Sequence, residues 1–191
     1  GVTLSSSYVV LHDIPIGDRK NDLEIEFDYQ HQVLTAESFR FINNELVLTG
    51  DGDLSLSDGG GLNASGHVLL QAGQERYEAA VNIVQDHLHL EIDVHRFPLH
   101  RLGDLPISGT ASGQVQVSGS VADPIVHAVL TSEDARFSND DLSLAIAVTY
   151  DGDILAINDL ALDYKAHHLR GLTGNVSMDT NAVSLSGHYQ G

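Results

Sequence analysis

The groups in this 191-residue chain that could do chemistry are chiefly carboxylates and imidazoles: 27 aspartates and glutamates and 11 histidines, against nine lysines and arginines and no cysteine. Side chains on a strand repeat every two residues, so His87, His89, Glu91, Asp93 and His95 fall in a row on one strand face. Two histidines at i and i+2 could share a transition metal with a carboxylate. Nothing in the row supplies a third ligand of known position, and a solvated polar face is the better reading. His167-His168 is a weaker pair, because adjacent strand residues point to opposite sides.

A second constellation is aspartate with glycine. Asp51-Gly52-Asp53, Asp151-Gly152-Asp153 and the triplet Gly59-Gly60-Gly61 resemble calcium-binding glycine–aspartate repeats, in which carboxylate and carbonyl oxygens surround a hard cation. Here the motifs are single and lack a nine-residue period, so hairpin turns that favour aspartate explain them as well. Catalytic signatures are missing: there is no Gly-x-Ser-x-Gly elbow, no phosphate-cradling Gly-Lys-Ser/Thr loop and no His-Glu-x-x-His pair. The chain reads as non-enzymatic, with no cofactor.

What would position these groups is a succession of strands. Leu23, Ile25, Phe27 and Tyr29 alternate with Glu24, Glu26 and Asp28, the pattern of a half-buried strand with carboxylates outward. Leu88, Leu90, Ile92 and Val94 alternate with the histidine row, and Leu142, Leu144, Ile146 and Val148 with Ser143, Ala145, Ala147 and Thr149. A period of two over that length excludes an amphipathic helix. Further β-prone runs are 2–11, 33–41, 46–49 and 53–56, with Tyr77, Ala79, Val81 and Ile83 on one face. Ile14-Pro15-Ile16-Gly17-Asp18 reads as a turn, Asp51-Gly52 as a two-residue hairpin turn, and Asp58-Gly59-Gly60-Gly61 as a loop. The one expected helix lies near residues 97–103, between Arg96 and Asp104, with Pro98 in its first turn and Gly103 as its stop.

Composition narrows the class. Eighteen glycines, four prolines and no tryptophan suit a turn-rich β chain, and a formal charge of −18 repels nucleic acid phosphates and anionic lipid headgroups alike. No apolar run approaches the ~20 residues of a membrane helix, and no signal peptide opens the chain. With Gly1 first and no Met, the chain reads as a fragment of a longer protein, with any anchor outside it. Two successive units are expected, 1–94 and 107–191, joined by a helical turn at 95–106.

Glycine punctuates the centre of the chain at 109, 113 and 119, between side-alternating residues in which Val115 and Val117 share one face and Gln114 and Gln116 the other. That reads as strand, turn, strand, with Asp123-Pro124 breaking the ladder because proline has no N–H to donate. The glycine–valine signature recurs at Ser65-Gly66-His67-Val68, Ser112-Gly113-Gln114-Val115 and Thr173-Gly174-Asn175-Val176. The order of Phe97-Pro98-Leu99-His100-Arg101-Leu102, then Ile107-Ser108-Gly109-Thr110-Ala111-Ser112-Gly113-Gln114-Val115, then Gly119-Ser120-Val121-Ala122-Asp123-Pro124, resembles the repeating segment of the TamB and AsmA-like proteins of the bacterial envelope. The resemblance is closest over residues 94–178.

The resemblance implies an all-β fold, an elongated twisted sheet rolled into an open half-pipe of the β-taco kind with an apolar concave face. It implies a periplasmic location in a diderm bacterium, with an inner-membrane anchor outside this chain. The implied function is carriage of phospholipid, held by its acyl chains, between the two membranes. A second implied role is assembly of outer-membrane proteins with a barrel partner of the TamA type, clients pairing with a sheet edge; a calcium-binding solenoid or adhesin is the alternative of another class. Alternation by itself is equally compatible with a closed sandwich core. The residues expected to line a lipid groove are Leu23, Ile25, Phe27, Leu88, Leu90, Ile92, Val94, Val115, Val117, Leu142, Leu144, Ile146 and Val148.

Overall fold

The computed structural model describes residues 4–16, 19–43, 46–56, 60–102, 106–180 and 182–190. The expected turn at Gly17-Asp18, the loop positions Asp58 and Gly59 and the helix stop at Gly103 lie outside them. The fold is all-β: an open antiparallel sheet that does not close into a barrel. Its strands are β1 (Leu4–Ile16), β2 (Arg19–Gln30), β3 (Val33–Asn43), β4 (Leu46–Leu56), β5 (Leu62–Ala72), β6 (Glu75–Val84), β7 (His87–Pro98), β8 (Ile107–Ser108), β9 (Thr110–Ser120), β10 (Pro124–Phe137), β11 (Asp140–Tyr150), β12 (Ile154–Tyr164), β13 (His167–Ser177) and β14 (Val183–Gln190). Two compact units, Gly1–Ile92 and Asp93–Gly191, divide the chain within β7. In each, strand order follows chain order, except that β8 pairs with β10.

In the first unit the registers bring one apolar face into line. Leu11, Leu23, Phe41, Leu48, Leu70 and Tyr77 follow one another across β1 to β6, and Val9, Ile25 and Phe39 form the next row. Facing residues of a pair share a side of the sheet, so alternation within each strand becomes a continuous apolar surface between strands. Three two-residue turns hold both residues at positive φ: His31-Gln32, Gln85-Asp86 and Ser138-Asn139. This is the twist-matched geometry of tight hairpins, achieved without glycine.

The expected hairpin at Asp51-Gly52 is not formed. Both residues lie inside β4, paired with His67 and Gly66 of β5. The apolar phase of Leu46 and Leu48 runs on through Gly50 and Gly52 to Leu54 and Leu56, and that unbroken phase outweighs the local turn preference of Asp-Gly. The matching Asp151-Gly152-Asp153 does form a turn: its Asp151 carboxylate accepts from the backbone N–H groups of Asp153 and Ile154, at 3.2 and 2.9 Å, and Gly152 has φ 99°. Ile14, Pro15 and Ile16, expected in a turn, extend β1 opposite Asn21, Lys20 and Arg19. The expected helix near 97–103 is a single 3₁₀ turn, Leu99–Leu102, because β7 continues as strand through Pro98.

The three copies of the glycine–valine signature occupy one structural role. A Cβ on Gly66, Gly113 or Gly174 would overlap the carbonyl oxygen of Asp51, Val129 or Ser184 on the adjacent strand. Irregularities of pairing fall at the same level: between Ala36 and Phe39 on β3 opposite Gly52 and Gly50, and between Ala147 and Val148 on β11 opposite Asp159 and Ile157. Bulges increase local twist, and glycine admits the close backbone approach that such twisting produces. Gly113→Ala is therefore expected to destabilise the protein by about 1–3 kcal/mol, the cost of forcing extra atoms into a packed site. Urea denaturation followed by circular dichroism measures this, and an unchanged midpoint contradicts the overlap.

Candidate functional site: an apolar sheet face

The accessible surface totals 12299 Å². Only five hydrophobic residues among those described are buried, Val94, Leu99, Ala111, Ala135 and Leu142, and all five belong to the second unit.

In the first unit the apolar face is built by Leu23, Ile25 and Phe27 on β2 and continues over β3 to β6, every strand carrying its apolar residues in the same phase. These three side chains are half-buried, shielded by neighbours within the sheet. At one end of the same face Leu34, Leu54 and Leu56 are 37%, 44% and 64% exposed, and Leu34 and Leu54 are cross-strand partners. On β7, Leu88, Leu90 and Ile92 are half-buried and alternate with exposed His87, His89 and Glu91. Leu23, Ile25 and Phe27 thus lie towards one side of this face and Leu88, Leu90 and Ile92 towards the other, and Phe39, Phe41, Val68, Leu70 and Val81, not among the expected lining, occupy the strands between. Their signal was the shared phase of alternation on β3, β5 and β6.

In the second unit Val115 and Val117 face Ala128 and Val126, and these face Val148 and Tyr150. Ile146 faces Leu130, and Leu144 faces Ser132. Val115, Val117, Leu144, Ile146 and Val148 are half-buried, whereas Val94 is buried. Leu142 has a different environment from the rest. With Leu99, Ala111 and Ala135 it forms a closed cluster, and Ile107, Leu130, Leu144, Leu162 and Tyr164 pack around it. One end of this unit's apolar face is thus covered by Leu99 of the 3₁₀ turn, and β8 extends the sheet there by pairing with β10.

The opposite face is polar and cross-linked between strands. The Asn158 amide donates to Thr149 Oγ1 at 2.7 Å, and His127 Nδ1 lies 2.9 Å from the same oxygen, joining β10, β11 and β12. Gln114 donates to Asp93 at 2.9 Å and Thr35 to Asp53 at 2.6 Å. In the first unit a shallow depression of about 600 Å³ holds Asp51, Asp53, His67, His89 and Glu91. His67 lies 3.6 Å from Asp51 and His89 3.3 Å from Glu91, so each imidazole is engaged by one carboxylate. Among the described residues no group of three or more histidines and carboxylates is arranged to hold a metal ion. Asp151 spends its carboxylate on its own turn, and Asp51 and Asp53 are strand residues, so the three-dimensional placement gives the calcium comparison no common loop.

Several carboxylates are held below the usual aspartate range. Asp163 is held there by Arg170 and then His168, Asp140 by Lys165 and then Tyr164, and Asp151 by the backbone N–H groups of Ile154 and Asp153. Asp134 is lowered by the backbone N–H of Thr110 and by the Thr110 and Ser132 hydroxyls, against the opposing effect of its partial desolvation. The Thr110 N–H lies 2.9 Å from Asp134 Oδ1, so this carboxylate ties the start of β9 to β10.

Comparison with models of protein families, with curated proteins and with solved structures returned no match. The chemistry available is therefore that of the geometry itself: an apolar sheet face, covered at one end of the second unit and, among the described residues, without buried hydrophobic side chains in the first.

A depressed folded-state pKa contributes stability that is complete above the unfolded value, about 3.9 for aspartate, and is lost as pH falls through the folded value. The protein is expected to hold its stability down to about that pH and to lose it in more acidic solution. Asp134→Asn should flatten this decline, measured as urea midpoints from neutral pH downward; an identical decline in the variant contradicts the assignment.

Proposed function

We propose that this chain is a non-enzymatic segment of a TamB or AsmA-like envelope protein whose apolar β face shields phospholipid acyl chains during passage between the inner and outer membranes. The observation that carries the reading is the first unit's apolar face. It extends in register over β1 to β6, contains no buried hydrophobic side chain among the described residues, and leaves Leu34, Leu54 and Leu56 exposed together. Contiguous exposed apolar surface marks a place where something apolar binds. An acyl chain gains about 0.8 kcal/mol for each methylene removed from water, with no directional contact, so it is retained and remains able to slide. Polar groups that would fix one headgroup are not required.

The outer polar face fits the same role. A formal charge of −18 opposes adsorption to anionic bilayers, so lipid would pass at the ends of the sheet instead of through its sides. In this reading the location is the periplasm and the anchor lies in another part of the protein. Assembly of outer-membrane clients with a TamA-type barrel is the accompanying role. Its support is β14, an edge strand exposed along Val183–Gln190, since strand edges offer unpaired backbone groups to an incoming strand.

Mass spectrometry of organic extracts is the direct test. Phospholipid should be retained near stoichiometry by the purified chain and lost in Ile25→Glu/Leu90→Glu, with the strand signal in circular dichroism preserved. Lipid at the level of a closed β-sandwich control, or retention unchanged by both substitutions, overturns the conduit.

A further inference from the structure

At one end of the second unit the apolar face finishes in aromatic rings and charge. Phe137 ends β10, Tyr164 ends β12 and Tyr189 lies next to the end of β14. The registers bring them to the same end of the sheet: Phe137 faces Asp140, Leu142 faces Tyr164, Tyr164 faces His167, and Leu169 faces Tyr189. The Phe137 and Tyr164 rings meet edge to face at 5.6 Å, and the Tyr189 hydroxyl lies 2.7 Å from His167 Nδ1. Tyr164 donates to Asp140 Oδ2 at 2.9 Å. Lys165 Nζ reaches the same oxygen at 2.7 Å and stands 5.1 Å from the centre of the Tyr164 ring. Behind this rim the apolar face continues along β12 to β14 through Leu162, Leu169 and Leu185, and Leu185 is 53% exposed.

We propose that this rim docks the headgroup of a zwitterionic phospholipid, its ammonium against Asp140, Tyr164 and Phe137 and its phosphate on Lys165. This rests on the acyl-chain reading given above and adds a headgroup preference to it. The ammonium of Lys165 already makes the contacts that the ligand's would make, with a carboxylate oxygen and with a tyrosine ring. A cation is attracted to the face of an aromatic ring, more strongly as water is excluded. Tyrosine also suits a place where one end of the side chain is apolar and the other wet. The Lys165–Asp140 pair is about half exposed on both sides, and an ion pair of that kind contributes little and exchanges partners readily. Docking replaces one ion pair by two: Lys165 swings to the phosphate and the headgroup ammonium takes its place on Asp140, with no net charge added. A headgroup that has the phosphate and no ammonium would draw Lys165 away and leave Asp140 without a cation, in a chain whose formal charge is already −18. With the headgroup at the rim, the acyl chains lie over Leu162, Leu169 and Leu185.

Dihexanoyl phosphatidylcholine and dihexanoyl phosphatidylglycerol, each kept below micelle formation, are titrated separately into the chain with isotope-labelled backbone amides and leucine methyls, and binding is followed by NMR. The choline lipid should bind about tenfold more tightly than the glycerol lipid. It should shift the amide signals of Asp140, Tyr164 and Lys165 together with leucine methyls of the apolar face. Asp140→Asn and Phe137→Leu, each checked for an intact strand signal, should bring the two affinities together while the methyl shifts persist. Equal affinity of the unsubstituted chain for the two lipids, or a preference that both variants retain, overturns the headgroup site; methyl shifts seen in that case leave the acyl-chain reading standing. Glycerophosphocholine carries the headgroup without tails and separates the other failure. If it binds as tightly as the lipid and the lipid moves no methyl, the acyl-chain reading falls and the lipid headgroup site with it, as both do if neither lipid binds.

Discussion

The close approach of neighbouring backbones at Gly66, Gly113 and Gly174 is the constraint on which the sheet depends. Long strands that must twist against one another meet a level at which a Cβ on one would collide with a carbonyl oxygen of the next. Glycine resolves the collision and pairing irregularities absorb the resulting mismatch in length. In the first unit Gly50, Gly52 and Gly66 sit on the apolar side of their strands, so the level of closest approach carries no side chain there. Phe39, Val68 and Val81 border that strip and supply its apolar surface.

The two units resolve an exposed apolar face in different ways. The second covers one end with its own chain, and the hydrophobic residues that are buried in the described structure all belong to it. The first has no buried hydrophobic side chain among its described residues and places Leu34, Leu54 and Leu56 at the exposed end of its face. A face of that kind leaves apolar surface in contact with water, which is unfavourable unless something apolar covers it.

Polar chemistry was displaced to the other side of the sheet, where it acts structurally. Histidines on this side are engaged across strands, His67 with Asp51, His168 with Asp163 and His127 with Thr149, while His89 lies beside Glu91 of its own strand. Cross-strand pairs of this kind individually contribute little at an exposed surface. Their repetition keeps strand register on the side that has no hydrophobic packing, and the excess of carboxylates keeps that side hydrated.

Alternation with a period of two is a property of each short stretch of chain, so the strands, their polar and apolar sides, and the grouping of Leu88, Leu90 and Ile92 against His87, His89 and Glu91 could be read from sequence. The acidic, cysteine-free composition likewise set the character of the outer surface. Turn placement was only partly legible: Asp51-Gly52 and Asp151-Gly152 have the same letters, and what separated them was the apolar phase, continuous through the first and broken at the second. The 3₁₀ turn at Leu99–Leu102 and the capture of Leu142 in a closed cluster were decided by tertiary structure alone. Whether an apolar side chain is covered depends on segments distant in sequence, here the 3₁₀ turn, whose Leu99 packs on Ala111, Ala135 and Leu142 of β9, β10 and β11. A strand's own pattern records that it has an apolar side and contains no information about what lies on it.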